Sequence, residues 1–264
     1  MISLASPQID LYQAAPEAAR LVLGASWVFR GEAGNPLLAP RGVFLHDRTL
    51  LVADTGQNRV FIWRDFEPGQ LHAAAACVLG QAQVGDTGRN AGAQASAQTL
   101  HYPSGLWTDG EKLAVADAWN HRVLLWHCFP THTGQPADVV VGQPDFAHAA
   151  PNVAGIGAAP TARSLHWPYG VWSDGQRLWI ADTGNRRVLV FDRWPDRNGA
   201  AADGLIGKAA FDERDYDPEG PVWPYAVKVG PAGELAIADT QYYRVLCWPH
   251  WQQALHQAAP TVIG

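Results

Sequence analysis

Four stretches of this 264-residue chain are copies of one another: "APRGVFLHDRTLLVADTGQNRVFIW", "YPSGLWTDGEKLAVADAWNHRVLLW", "WPYGVWSDGQRLWIADTGNRRVLVF" and "WPYAVKVGPAGELAIADTQYYRVLCW". Each runs from a proline-led apolar segment through a turn to an Ala-Asp pair and an Arg-Val run. The aspartates, Asp54, Asp117, Asp182 and Asp239, are spaced by 63, 65 and 57 residues. A shorter apolar element ends at Gly24, Gly80, Gly142, Gly207 and Gly264, so the units average 60 residues. A repeat of this size is one supersecondary block that cannot bury its apolar face alone and must stack on its neighbours.

The apolar runs within a unit have strand length and are separated by Asp-Gly or Ala-Gly turns of the hairpin kind. Four such strands per unit, in series, predict an all-β fold: a β-propeller of four blades, each about 60 residues and four antiparallel strands. The segments between units, such as "GQAQVGDTGRNAGAQASAQTL", lack strand alternation and hide no further blade. The propeller is expected over residues 21–264. Residues 1–20 form an N-terminal extension, with a short helical turn predicted near "APEAARLVLG". The element ending at Gly24 is one more than four blades need.

Composition agrees with this architecture: 17% charged residues and 12 Trp suit tightly packed β-structure. A net charge of -6 with no Lys/Arg run gives no footprint for nucleic acid. No stretch is long and apolar enough to span a membrane and no leader is evident, so a soluble, cytoplasmic protein is expected. Cys77, Cys128 and Cys247 form no CxxC pair and sit in apolar neighbourhoods, which reads as buried free thiols.

In "ADTGNRRV" the aspartate is expected to accept N–H bonds from its own turn and the arginine to return a charge-assisted bond. All units keep both residues, so Asp54, Asp117, Asp182 and Asp239, with Arg59, Arg122, Arg187 and Arg244, are assigned to structure. These motifs, together with "VVGQPDF" at 140–146, resemble NHL repeats over about residues 21–264. The resemblance implies a propeller and leaves function open, since NHL-type propellers bind proteins, RNA or ligands, or act as enzymes. NHL blades are typically nearer forty-odd residues and commonly six to a ring, so the longer units depart from the pattern.

Function is then sought where one copy breaks the repeat, on the rim that carries the Asp-motif turns and the long inter-unit loops. Trp119 and His121 replace small or amide residues, Arg186 adds a charge, and Tyr242 and Tyr243 stand where Gly-Asn types belong. His101 and His166 occupy equivalent positions two residues before a proline, where the other copies have Leu38 and Val222. They are expected to converge near the axis as partial ligands of a divalent metal or as contacts to an anion. Tyr102, Trp167, Tyr169, Trp223 and Tyr225 would make that entrance aromatic. His127, Cys128 and His132 are placed on the opposite rim, and Asp215, Asp217 and Glu219 in a solvated loop. The first functional reading is a binding module for a small molecule, peptide or protein. The second, by resemblance, is a metal-assisted lyase or hydrolase, with Tyr242, Tyr243 or Arg186 as helpers.

Overall fold

The computed structural model describes residues 37–67 and 75–264. Four four-stranded sheets succeed one another in sequence order. Blade 1 is β1 (Gly42–His46), β2 (Thr49–Asp54), β3 (Arg59–Trp63) and β4 (Cys77–Leu79). Blade 2 is β5 (Pro103–Thr108), β6 (Leu113–Asp117), β7 (Arg122–Trp126) and β8 (Val139–Val141). Blade 3 is β9 (Pro168–Ser173), β10 (Leu178–Asp182), β11 (Arg187–Phe191) and β12 (Gly204–Ile206). Blade 4 is β13 (Pro224–Val229), β14 (Leu235–Asp239), β15 (Arg244–Trp248) and β16 (Thr261–Ile263), with one helical turn, Trp251–Ala254, before its last strand. Every neighbouring pair is antiparallel. The fold is thus the four-bladed β-propeller expected from the repeat. The predicted N-terminal helical turn and the Gly24 element lie outside the described residues.

The cores lie between blades, because a sheet buries its alternate faces against two neighbours. Leu51, Val60 and Ile62 of blade 1 meet Leu106, Val115 and Leu124 of blade 2. Ala114, Val123 and Leu125 of blade 2 meet Val171, Ile180 and Leu189 of blade 3. Trp179, Val188 and Val190 of blade 3 meet Val227, Ile237 and Leu246 of blade 4. Gly105 and Gly170 on the inner strands are obligatory here. A Cβ on either would stand 2.7 Å from a backbone carbonyl of the next blade.

The repeated Asp-Arg pair is the internal strut of each blade. The Nε of Arg59, Arg122, Arg187 and Arg244 donates to Asp54, Asp117, Asp182 and Asp239 at 2.8, 2.7, 2.8 and 3.0 Å. The first three pairs are fully buried. The other carboxylate oxygen does not serve its own turn, as expected from the motif, but accepts an N–H from the segment entering the inner strand: Leu38, His101, His166 and Trp223. The guanidinium then donates outward to loop carbonyls, as Arg122 does to Phe146, Ser96 and Thr99. One buried pair therefore fixes hairpin, inner strand and long loop together, and its charges are compensated by hydrogen bonds on every side. The thiols divide: Cys77 is buried as expected, whereas Cys128 is exposed and Cys247 partly so. Apolar neighbours in sequence did not reveal that Cys128 follows the end of β7 and that Cys247 lies on the last blade.

Candidate functional site

Long loops and Asp-motif turns share one rim, as expected. Asn90 of the first loop pairs with Asn120 of the blade 2 turn, and Asn152 of the second loop with Asn185 of the blade 3 turn. Each turn is a short 3-10 segment ending in a left-handed residue: Asn58, His121, Arg186 or Tyr243. That residue reaches across the seam. Asn58 Oδ1 accepts the Tyr102 N–H at 3.0 Å, and His121 Nδ1 accepts the Trp167 N–H at 3.1 Å. Both donors precede a proline and have positive φ, a strained combination that the cross-blade bond offsets. Arg186 has no acceptor to offer; Trp223 lacks the positive φ, and its N–H goes to Asp239 instead.

His121 is therefore not surplus to the fold, as comparison of the four turns suggested, but a seam residue. Burial, with His166 and His101 nearby, lowers its pKa to about 3, which keeps the imidazole neutral and Nδ1 free to accept.

Trp119 is different. At its position in blade 3, Gly184 leaves room for the His166 ring, whose Cγ would lie 2.6 Å from an added Cβ. In blade 2 the indole side chain is present, and His101 stands edge-on to it at 5.2 Å. His166 instead meets His121 at 5.3 Å and Trp167 at 4.4 Å. His101 and His166 both lie near His121, and no ring contact among the described residues joins the two to each other. Among the described residues no three His, Cys, Asp or Glu side chains gather into a metal-holding group. Burial lowers the pKa of both histidines, and both ring nitrogens of His166 are buried without a hydrogen-bond partner.

The aromatic side chains do converge. Trp119, 44% exposed, stacks on Tyr102 at 4.4 Å and 15°. Its Nε1 points to the Tyr169 hydroxyl at 3.4 Å. Tyr169 stacks on Tyr225 at 4.9 Å, and the Tyr225 hydroxyl accepts from Arg41 at 3.3 Å. Arg41 in turn lies 5.2 Å over the Tyr102 ring. This circuit takes residues from all four blades, and burial raises the Tyr169 pKa. Trp223 lies 6.2 Å from Trp167, which belongs with His121 and His166.

Arg41 and Lys228 escaped the sequence reading. Lys228 holds the position filled by Phe44, Trp107 and Trp172 in the other blades, and its ammonium lies 4.1 Å from the Trp172 ring and 5.3 Å from that of Phe44. Partial burial lowers its pKa. The signal was available as "AVKV" against "GVF", "GLW" and "GVW". Arg186 donates to the Arg214 carbonyl and Tyr242 lies under Arg244, whereas Tyr243 is 89% exposed. Arg186 lies in the blade 3 turn and the two tyrosines in the blade 4 turn.

A cavity of about 620 Å³ on the opposite rim is lined by Asp174, Arg177, His250 and Trp251, but Arg177 is already paired with Asp174 at 2.9 Å.

No family model matches the chain, and no curated protein matches it. Among solved structures, a protein of Bacteroides uniformis described as a candidate 6-phosphogluconolactonase has a TM-score of 0.50 at 12% identity, over 85% of this chain and 54% of that one. Kuenenia stuttgartiensis hydrazine synthase gives 0.45 at 13%, over 77% and 42%, and Myxococcus xanthus glutaminyl cyclase 0.43 at 13%, over 79% and 64%. This chain thus spans 42 to 64% of those proteins. At such identities the likeness is one of fold alone. No helix among the described residues is long and apolar enough to cross a membrane.

Proposed function

We propose that this NHL-type propeller is a binding module that takes a ring-bearing ligand, a small molecule or an aromatic side chain of a peptide, on the Tyr102, Trp119, Tyr169 and Tyr225 circuit. The single observation that carries the reading is Trp119. It is large, half-exposed, dispensable to its hairpin, and already held flat against Tyr102 with its N–H directed. An indole held in this way offers a rigid stacking face whose ordering entropy is lost before the ligand arrives. Arg41 at the edge of the circuit has no carboxylate partner among the described residues and favours an anionic group on the ligand. Trp119→Ala is expected to leave the unfolding midpoint nearly unchanged and to weaken ligand binding by about 2 kcal/mol, or about thirtyfold. Thermal-shift screening followed by calorimetry on the wild type, Trp119→Ala and Tyr225→Ala measures this. A ligand whose affinity survives both substitutions sits elsewhere.

A metal-assisted lyase or hydrolase is the second reading, and the unpartnered ring nitrogens of His166 are its support. Stoichiometric metal that disappears on His166→Ala would favour it over the first.

A further inference from the structure

The rim opposite the Asp-motif turns carries the hairpin turns between the first and second strands of each blade. In the seam between blades 1 and 2 the His46 ring packs on the turn glycine Gly110, 3.2 Å from where a Cβ would stand. In the next seam Asp109 packs on Gly175 at 3.6 Å. Lys112 crosses that seam as well, donating to the Gly175 carbonyl at 2.7 Å with its ammonium 5.5 Å from the Trp194 ring. Arg177 holds the place of Lys112 in blade 3, just before the second strand, and Trp251 holds the place of Trp194 in blade 4, just past the third. The seam between blades 3 and 4 breaks the pattern. The imidazole of His250 lies where a Cβ on the turn glycine Gly233 would stand. The Gly233 carbonyl accepts the Trp251 N–H at 2.8 Å, and Arg177, 5.4 Å over the Trp251 ring, stays with Asp174 of its own turn. Wedged in this way, the seam opens into the cavity of about 620 Å³, whose wall also includes Trp172, Val229 and Pro231.

The polar side chains of this wall are unevenly satisfied. Asp174 accepts the N–H groups of Gln176 and Arg177 and the Arg177 Nη1. The Ser173 hydroxyl accepts from Gly175 and donates to the Arg177 carbonyl. Arg177 uses only Nη1, so its Nε and Nη2 have no acceptor among the described residues. His250 accepts the Gln252 N–H at Nδ1, 3.4 Å, which leaves the proton on Nε2, again without an acceptor. Trp172 adds a buried Nε1 with no partner. What the side chains of the wall still offer is N–H, and the complement of N–H is an acceptor with negative charge.

We propose that this cavity is a second binding site, for a small organic anion whose carboxylate or phosphate is taken by Arg177 and His250 and whose apolar part lies against Trp172, Val229 and Pro231. Nε and Nη2 form one edge of the guanidinium, the fork that matches two oxygens of a carboxylate or phosphate through parallel N–H bonds. Asp174 holds the opposite end of the group and the Trp251 ring lies beneath it, so the fork is ordered before the ligand arrives. The site shares no residue with the aromatic circuit and does not depend on what that circuit binds.

Hexanoate and hexyl phosphate carry the two anions on an apolar tail without a ring for the aromatic rim to stack. Each is titrated into isotope-labelled protein and followed through the indole N–H resonances. Saturable shifts of the Trp172 and Trp251 signals are expected with at least one of the two, and the one that saturates identifies the anion. Arg177→Gln should weaken that binding about tenfold, as loss of a charge-assisted pair does. The Arg177 side chain is 33% exposed, so the variant should keep the wild-type circular dichroism. His250→Asn, which keeps an acceptor for Gln252 and removes the Nε2 proton, gives an independent loss of smaller size. Trp119→Ala and Arg41→Gln, on the other rim, should leave the affinity unchanged. Saturation by neither anion, affinity that survives Arg177→Gln, or affinity lost with Trp119→Ala overturns the proposal.

Discussion

Blades 3 and 4 carry nearly the same strands, "LWIAD" with "RVLVF" and "LAIAD" with "RVLCW", yet they live in different surroundings. In blade 3 every residue of β10 and β11 is buried; in blade 4 five of the ten are partly exposed. Both blades form the same ladder, the same 3-10 turn and the same Asp-Arg strut. The motif therefore dictates the blade, while the neighbour dictates what the motif contributes to stability. Among the described residues, blade 3 has cores on both faces and blade 4 on one.

The largest test of that contrast removes the strut. Arg187→Ala leaves the Asp182 carboxylate buried with its charge uncompensated, and about 3–5 kcal/mol should be lost in urea unfolding. Arg244 is already 15% exposed beside Asp239, so Arg244→Ala should cost about half as much. Equal losses would mean that the strut is insensitive to its seam, and the contrast between the blades would fail.

A smaller effect separates the seam between blades 2 and 3 from the one between blades 1 and 2. Both use a left-handed residue as acceptor, His121 in one and Asn58 in the other. Only the histidine titrates. Its folded pKa, about 3, lies below the ordinary value of 6.5, so between these pH values the unfolded chain binds more protons and stability falls as pH falls. The loss attributable to His121 begins near pH 6.5, reaches about 2 kcal/mol at pH 5 and is complete below pH 3. His121→Asn restores the sibling acceptor without the titration. The variant should match the wild type at pH 8 and exceed it at pH 5; parallel stability curves would remove His121 from the seam.

The fold was legible because it is written four times. The period, the Asp-Gly turns and the alternating runs each give the same answer, and chance agreement over four copies is negligible. The site was half legible. A departure from the repeat pointed to Trp119, and the aromatic residues beside the paired histidines pointed to Tyr169 and Tyr225; these side chains meet because aromatic residues gain from clustering wherever the rim brings them together. Departures failed for His121, where the odd residue supplies the same hydrogen-bond acceptor as its sibling by different chemistry. Equivalent backbone positions in His101 and His166 also do not bring equivalent ring contacts, because Trp119 fills the space that Gly184 leaves open.

The smallest prediction concerns the seam between blades 3 and 4, where Arg186 takes the acceptor's place. Arg186→Asn offers the Trp223 N–H the cross-blade oxygen that Asn58 offers Tyr102. To use it, Trp223 must leave Asp239 Oδ1 at 2.6 Å and adopt the positive φ of Tyr102 and Trp167 before its proline. The new bond adds about 1 kcal/mol and the strained backbone subtracts a similar amount. The Arg186 bond to the Arg214 carbonyl is lost as well. The net change in unfolding free energy should stay within about 1 kcal/mol of zero. A gain of several kcal/mol would show that the aspartate bond to Trp223 is a poor substitute, and that the seam with a permanent charge in its turn is weaker than the two seams before it.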